Sequence, residues 1–83
     1  MITESQILDT IAKFNRVGRM PTNADIASRG FGLAYKTDPL IEDILVRMSI
    51  DGRVEARNEL ADEANGLKTF MVTSGALVHL AAE

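Results

Sequence analysis

Cysteine and tryptophan are absent from this sequence of 83 residues, which holds only two prolines and one histidine. Without cysteine there is no disulfide and no thiolate metal site, and His79 has no second histidine beside it, so we expect neither metal nor cofactor. No stretch reaches the roughly 18 apolar residues of a membrane span, and residues 1–5 do not resemble a secretion signal. These absences predict one cytoplasmic domain without a membrane partner.

Catalytic groups are equally sparse. The serines Ser5, Ser28, Ser49 and Ser74 have no histidine–acid pair near them in the sequence, as a hydroxyl nucleophile would require. No glycine-rich phosphate loop follows a predicted strand. We therefore expect a binding protein rather than an enzyme.

The net charge is −3, and it is unevenly divided. Residues 1–37 carry five basic and three acidic side chains, a balance of +2, whereas residues 38–83 carry four basic and nine acidic ones, a balance of −5. Non-specific DNA affinity comes mostly from lysine and arginine that neutralise phosphates. We expect phosphate contacts from the first half, and the second half is the better candidate for a protein partner.

The first predicted helix begins at a capping box. Thr3 and Gln6 have the spacing at which each side chain can accept a hydrogen bond from the backbone amide of the other residue. Gly18 ends the helix. Apolar residues at helical spacing predict its buried face, namely Ile7, Leu8, Ile11, Ala12 and Phe14.

A shorter second helix follows an extended segment at residues 19–21. Thr22 is the expected N-cap, and Asp25 complements the positive end of the helix dipole. Gly30 ends this helix after about two turns. Residues 31–37 then form a turn with enough apolar content to pack against the core.

The third helix, at residues 38–51, has the clearest boundaries. Asp38 caps it, Pro39 suits its first position, and Gly52 closes it. Its periodicity predicts a buried face of Leu40, Ile41, Ile44, Leu45 and Met48. It predicts an outward face of Glu42, Asp43, Val46 and Ser49, with Arg47 on the flank.

After Gly52 the pattern changes to the alternation of half-buried strands. Residues 54–60 and 68–73 predict the two strands of a hairpin, with residues 61–66 at its tip. The expected inward side chains are Val54, Ala56, Leu60, Phe70 and Val72. An apolar tail at residues 74–82 is the expected short C-terminal helix, which packs on the first helix or forms a dimer seam.

Three helices followed by a hairpin is the order of a winged helix-turn-helix domain, so residues 1–83 are expected to form one α+β domain of this class. Residues 18–27 resemble the segment that opens the helix-turn-helix of LexA-type repressors, which carry a Pro-Pro-Thr-x-x-Glu-Ile-Ala pattern. Residues 42–45, Gly52 and Val54 extend the resemblance, which covers roughly residues 3–57.

The resemblance implies that the third helix enters the major groove of DNA. Glu42 and Asp43 occupy the positions from which an acidic pair reads bases in that family, and a carboxylate can accept a hydrogen bond from cytosine. Thr37 matches a family serine that lies at the DNA. The chain departs from the pattern in the longer turn at residues 31–37 and at Pro39, where the family has a polar residue.

These observations lead to two functional hypotheses. The first is a sequence-specific regulator that binds double-stranded DNA, as a homodimer formed through residues 74–82, with the third helix as recognition helix. Its expected DNA contacts are Arg29, Lys36, Thr37, Glu42, Asp43, Val46 and Arg47. A solvated helix face, with acids near the helix N-terminus, is the simpler explanation of Glu42 and Asp43.

The second hypothesis is an acidic winged-helix module that binds a basic protein partner instead of DNA. The predicted hairpin tip carries or adjoins the acids Glu59, Asp62 and Glu63. In a wing that contacts phosphate, the side chains at these positions would be small or basic. Such a module resembles phage-type inhibitors that mimic DNA charge against a nucleic-acid-binding protein of the host.

Overall fold

The structure is a computed structural model that describes residues 2–57 and 67–73. These residues form a small α+β domain of three helices and a two-stranded antiparallel hairpin. In chain order the elements are α1 (Glu4–Arg16), α2 (Asn23–Asp25), a π-helical turn (Ile26–Gly30), α3 (Pro39–Ile50), β1 (Val54–Arg57) and β2 (Thr69–Val72).

The predicted capping box opens α1. The Thr3 hydroxyl accepts a hydrogen bond from the Gln6 amide at 3.2 Å, and Gln6 Oε1 accepts one from the Thr3 amide at 2.9 Å. The buried face is confirmed for Ile7, Leu8, Ile11 and Ala12. Phe14 is only half-buried at the end of the helix.

The second helix changes from α to π geometry along its length. Thr22 caps it and pairs reciprocally with Asp25 at 3.0 Å in both directions. Gly30, its predicted end, lies against α1, where an added Cβ would come within 2.8 Å of Thr10 Oγ1. Glycine is therefore required here by the close approach of two helices.

Helix α3 begins and ends where the sequence predicts. Asp38 Oδ1 accepts hydrogen bonds from the Leu40 and Ile41 amides at 3.0 and 3.1 Å. Gly52 follows the helix with a φ of 77°. The prediction that Leu40 is buried is wrong, since 52% of it is exposed. Leu40 points about 90° away from the mean direction of the four buried side chains, at 100° per residue: Ile41, Ile44, Leu45 and Met48.

The hairpin pairs Val54 with Val72 and Arg57 with Thr69. Phe70 and Val72 are buried as predicted. Ala56 is exposed, contrary to the prediction. It shares the face of Val54 by alternation, but an open groove beside α3 leaves it uncovered.

An extended segment between α1 and α2 pairs with the second edge of β2. Thr22 forms an antiparallel bridge with Thr69. The Phe70 amide donates to the Pro21 carbonyl at 3.0 Å, and the Asn23 amide donates to the Lys68 carbonyl at 3.1 Å. Strand β2 therefore lies between β1 and the segment that leads into α2.

One asparagine connects the end of α1 to this sheet. Asn15 Oδ1 accepts from the Val72 amide at 2.9 Å, while its Nδ2 donates to the Arg19 carbonyl at 2.9 Å. These bonds join α1, the following loop and β2, so the sheet packs on the core with a defined orientation.

Several predictions fall outside the described residues. They concern the ends of the hairpin at residues 58–60, the tip with Glu59, Asp62 and Glu63, and the tail helix at residues 74–82 with its dimer seam. In the part of the chain that the structure does describe, no helix is long and apolar enough to span a membrane.

Candidate nucleic-acid interface

The outward side of α3 exposes three large apolar side chains. Five residues at helical spacing form what we term the outer α3 face: Leu40, Asp43, Val46, Arg47 and Ile50. The exposed fractions of its apolar members are 52%, 54% and 79%, in chain order. Arg47 Nη2 lies 3.6 Å from Asp43 Oδ2, so the face is apolar around one surface ion pair.

Glu42 has a structural partner. The fully buried Asn23 donates a hydrogen bond from Nδ2 to Glu42 Oε1, and Asn23 Oδ1 accepts from the Ala24 amide at 3.0 Å. The side chain of Glu42 therefore connects the start of α2 to α3. Sequence reasoning missed Asn23, because nothing in a pattern of neighbouring residues links positions 19 apart.

Two lysines flank the first half of α3. Lys36 and Thr37 line a cavity together with Tyr35 and Leu67, which places the turn before α3 beside the residues that lead into β2. Lys68, the next residue, lies with Glu42 in the groove between α3 and the hairpin. The structure thus brings Lys36, Thr37 and α3 together, and it adds Lys68, which the sequence marked only as the start of a strand.

Arg29 is separated from this group. It lies in a cleft with residues of α1, among them Gln6, Asp9 and Thr10, whereas neither α3 nor the hairpin contributes to that cleft. The residue is exposed. Of the expected DNA contacts Lys36 and Arg29, Lys36 therefore lies beside α3 and Arg29 does not.

The charge of the described residues differs from that of the whole chain. All nine lysines and arginines lie in them, with eight of the twelve acids, so their balance is +1. Four of the basic side chains pair with acids, and Asp25 and Asp38 cap helices. Within residues 2–57 and 67–73, the cations without an ion pair are Arg16, Arg19, Arg29, Lys36 and Lys68.

The groove between α3 and the hairpin is small. Its volume is about 160 Å³, and its apolar lining includes Val46, Ile50, Ala56 and Phe70. Small-molecule sites usually measure roughly 300–1,000 Å³. The groove is therefore smaller than a typical small-molecule site.

Comparison of the chain with known protein families, with curated proteins and with solved structures found no match.

Proposed function

We propose that this protein is a winged helix-turn-helix regulator that binds double-stranded DNA with α3 in the major groove. The order α1, extended segment, α2, α3 and hairpin supports this assignment. The bridge between Thr22 and Thr69 is the observation that carries it. This bridge holds the start of α2 on the hairpin, and the Asn23–Glu42 hydrogen bond joins the start of α2 to α3. The second and third helices and the wing therefore keep one relative placement, as DNA docking requires.

Two kinds of contact follow from the positions of the side chains. Lys36, Thr37 and Lys68 flank α3 and would contact phosphates, which positions the helix without reading sequence. Asp43 and Arg47 would read base edges, since a carboxylate accepts from cytosine and a guanidinium donates to guanine. Val46 would pack on a thymine methyl group. Glu42 would act mainly by holding α3 on Asn23.

The test is selection from a pool of random DNA duplexes, followed by fluorescence anisotropy on the enriched sequence at two salt concentrations. We expect one enriched motif and an affinity that falls steeply with salt. Lys36→Ala and Lys68→Ala should weaken binding to the motif and to a scrambled duplex alike, each reducing the salt slope by about 1. Asp43→Ala should change the enriched motif.

Lys13→Ala is the matched control, because Lys13 is an exposed lysine on α1, paired with Asp9 and away from α3. It should leave DNA binding unchanged. Absence of an enriched motif, together with absence of binding at low salt, would overturn the proposal. Binding that survives the loss of both Lys36 and Lys68 would overturn this placement of DNA.

A protein-binding module is the second candidate, and the exposure of Leu40, Val46 and Ile50 favours it. Apolar side chains grouped on one exposed face are typical of protein interfaces. In this hypothesis Asp62 and Glu63, which the sequence predicts at the tip of the hairpin, would meet a basic partner. Charge reversal at those two positions would then abolish partner binding, whereas Arg29→Ala would have little effect.

A further inference from the structure

The outer α3 face has a pattern that is complementary to itself. Asp43 and Arg47 are equally far from residue 45, on opposite sides of it, and so are Leu40 and Ile50. Val46 lies next to that midpoint. The helix rises about 1.5 Å per residue, so equal sequence separations are equal distances along the axis. A two-fold axis that relates two antiparallel copies at this midpoint therefore brings the acid of one copy opposite the base of the other, and leucine opposite isoleucine.

An antiparallel α3 from a second copy would pair both ions of this face and cover Leu40 and Ile50. Asp43 of each copy would lie opposite Arg47 of the other, and Leu40 would pack on Ile50. At 100° per residue Val46 lies about 80° around the helix from the middle of this pattern, so it would lie at the flank of the contact. Two-fold dimers use one surface patch on both subunits, which this arrangement provides.

We propose that the outer α3 face is a self-association surface, occupied by the same face of a second copy of this chain. Charge complementarity argues for this occupant over an unrelated protein. The Asp43–Arg47 pair neutralises the face within one copy, with the two ions 3.6 Å apart. In the dimer the same four ions alternate in sign, so that no charge is buried against a like charge.

This surface coincides with the proposed DNA-reading surface, so the two partners exclude each other. Self-association would then lower the concentration of the DNA-binding form, and DNA would favour the monomer by mass action. That regulatory consequence rests on the proposed function. The self-association itself does not, and it can be measured without DNA.

Analytical ultracentrifugation across a range of protein concentrations tests the surface. We expect a reversible dimer, with a dissociation constant that rises about tenfold in Asp43→Arg and in Arg47→Asp, because each variant faces its own copy with like charges. An equimolar mixture of the two variants should restore dimerisation, since acid again meets base across the interface. Neither an effect within one helix nor a folding defect would be corrected by mixing.

Two further variants make the outcome decisive. Asp9→Arg reverses the acid of the equivalent pair on α1, where Lys13 Nζ lies 3.0 Å from Asp9 Oδ2, and it should leave the dimer unchanged. Ile50→Asp, at a position that is 79% exposed, should abolish dimerisation and retain the circular dichroism spectrum of the fold.

A protein that stays monomeric at all concentrations would overturn the inference, as would a dimer that is indifferent to charge reversal at Asp43 and Arg47. The second result would place the dimer elsewhere, including the seam expected at residues 74–82. DNA binding by a strictly monomeric protein would leave the proposed function intact and remove only the self-association. A dimer that does not bind DNA would leave the self-association intact and overturn the proposed function.

Discussion

Helices α1 and α3 contribute equally to the core but differ in what they present outside. Each buries four apolar side chains, and each carries one exposed i,i+4 ion pair. The outward positions of α1 are otherwise polar, whereas α3 exposes three apolar side chains. The members of the two outward sets are Ser5, Gln6, Lys13 and Arg16 on α1, and Leu40, Val46 and Ile50 on α3.

The difference separates residues that fold the domain from residues that are available to a partner. An apolar side chain that stays in water contributes no burial energy to folding. Polar residues on the outside of α1 are therefore what folding and solubility alone would favour. The apolar outer α3 face is not explained by folding, and we therefore assign both DNA binding and self-association to it.

The largest expected effects remove inward side chains, and they should be alike in the two helices. Ile11→Ala in α1 and Leu45→Ala in α3 each leave a cavity in the core, so we expect the free energy of unfolding to fall by about 2–5 kcal/mol. Urea denaturation followed by circular dichroism measures it. Val46→Ala is the control and should cost less than about 0.5 kcal/mol. An equal loss in Val46→Ala would show that the outer α3 face is buried in the folded protein.

A smaller effect distinguishes two neighbouring acids on α3. Glu42→Ala removes the carboxylate that accepts a hydrogen bond from Asn23 Nδ2, and a hydrogen bond to a charged group contributes about 1.5–3 kcal/mol. Asp43→Ala breaks only an exposed ion pair, so stability should change by about 0.5 kcal/mol or less. The same denaturation curves give both values. Equal effects of the two substitutions would mean that Glu42 is as free for a partner as Asp43.

The smallest expected effect is a pH dependence at the start of α1. A hydrogen bond from Arg53 lowers the pKa of Glu4 below its ordinary value of 4.5; burial opposes the lowering, and the charges of Arg53 and Arg47 add to it. A lowered pKa in the folded state contributes stability above the unfolded pKa, and this contribution is lost as the pH falls through the folded pKa.

Glu4→Gln should therefore flatten the fall in thermal unfolding temperature below about pH 4.5. Thermal melts between neutral and acidic pH measure it. Melts of the variant that run parallel to those of the unmodified chain at every pH would show that Glu4 is not charge-stabilised by Arg53.

Local signals predicted the elements well because capping and periodicity act over a few residues. Thr3, Thr22 and Asp38 cap the helices that they were expected to cap. The errors at Leu40 and Ala56 have one cause, since both lie at the margin of an apolar face. A pattern shows that such a residue is apolar, but the extent of the neighbouring element decides whether it is covered.

The candidate site was only partly predictable. The turn at Lys36 and Thr37 and the outward residues of α3 follow from sequence position, as does the ion pair of Asp43 with Arg47 at i,i+4 spacing. Lys68 and Asn23 could not be found in this way. Each joins the site through a hydrogen bond to a segment distant in the chain. The Lys68 carbonyl accepts from the Asn23 amide, and the Asn23 side chain donates to Glu42.

The sequence by itself determined where the three helices begin, which side chains of α1 and α3 form the buried faces apart from Phe14 and Leu40 at their margins, and where the chain changes to strands. These features depend on interactions among neighbouring residues. Only the tertiary structure decided that β2 pairs with the segment before α2, that Glu42 is held by Asn23, and that the apolar outer α3 face stays uncovered. Those outcomes depend on contacts between distant segments, whose geometry is set by how the whole core packs.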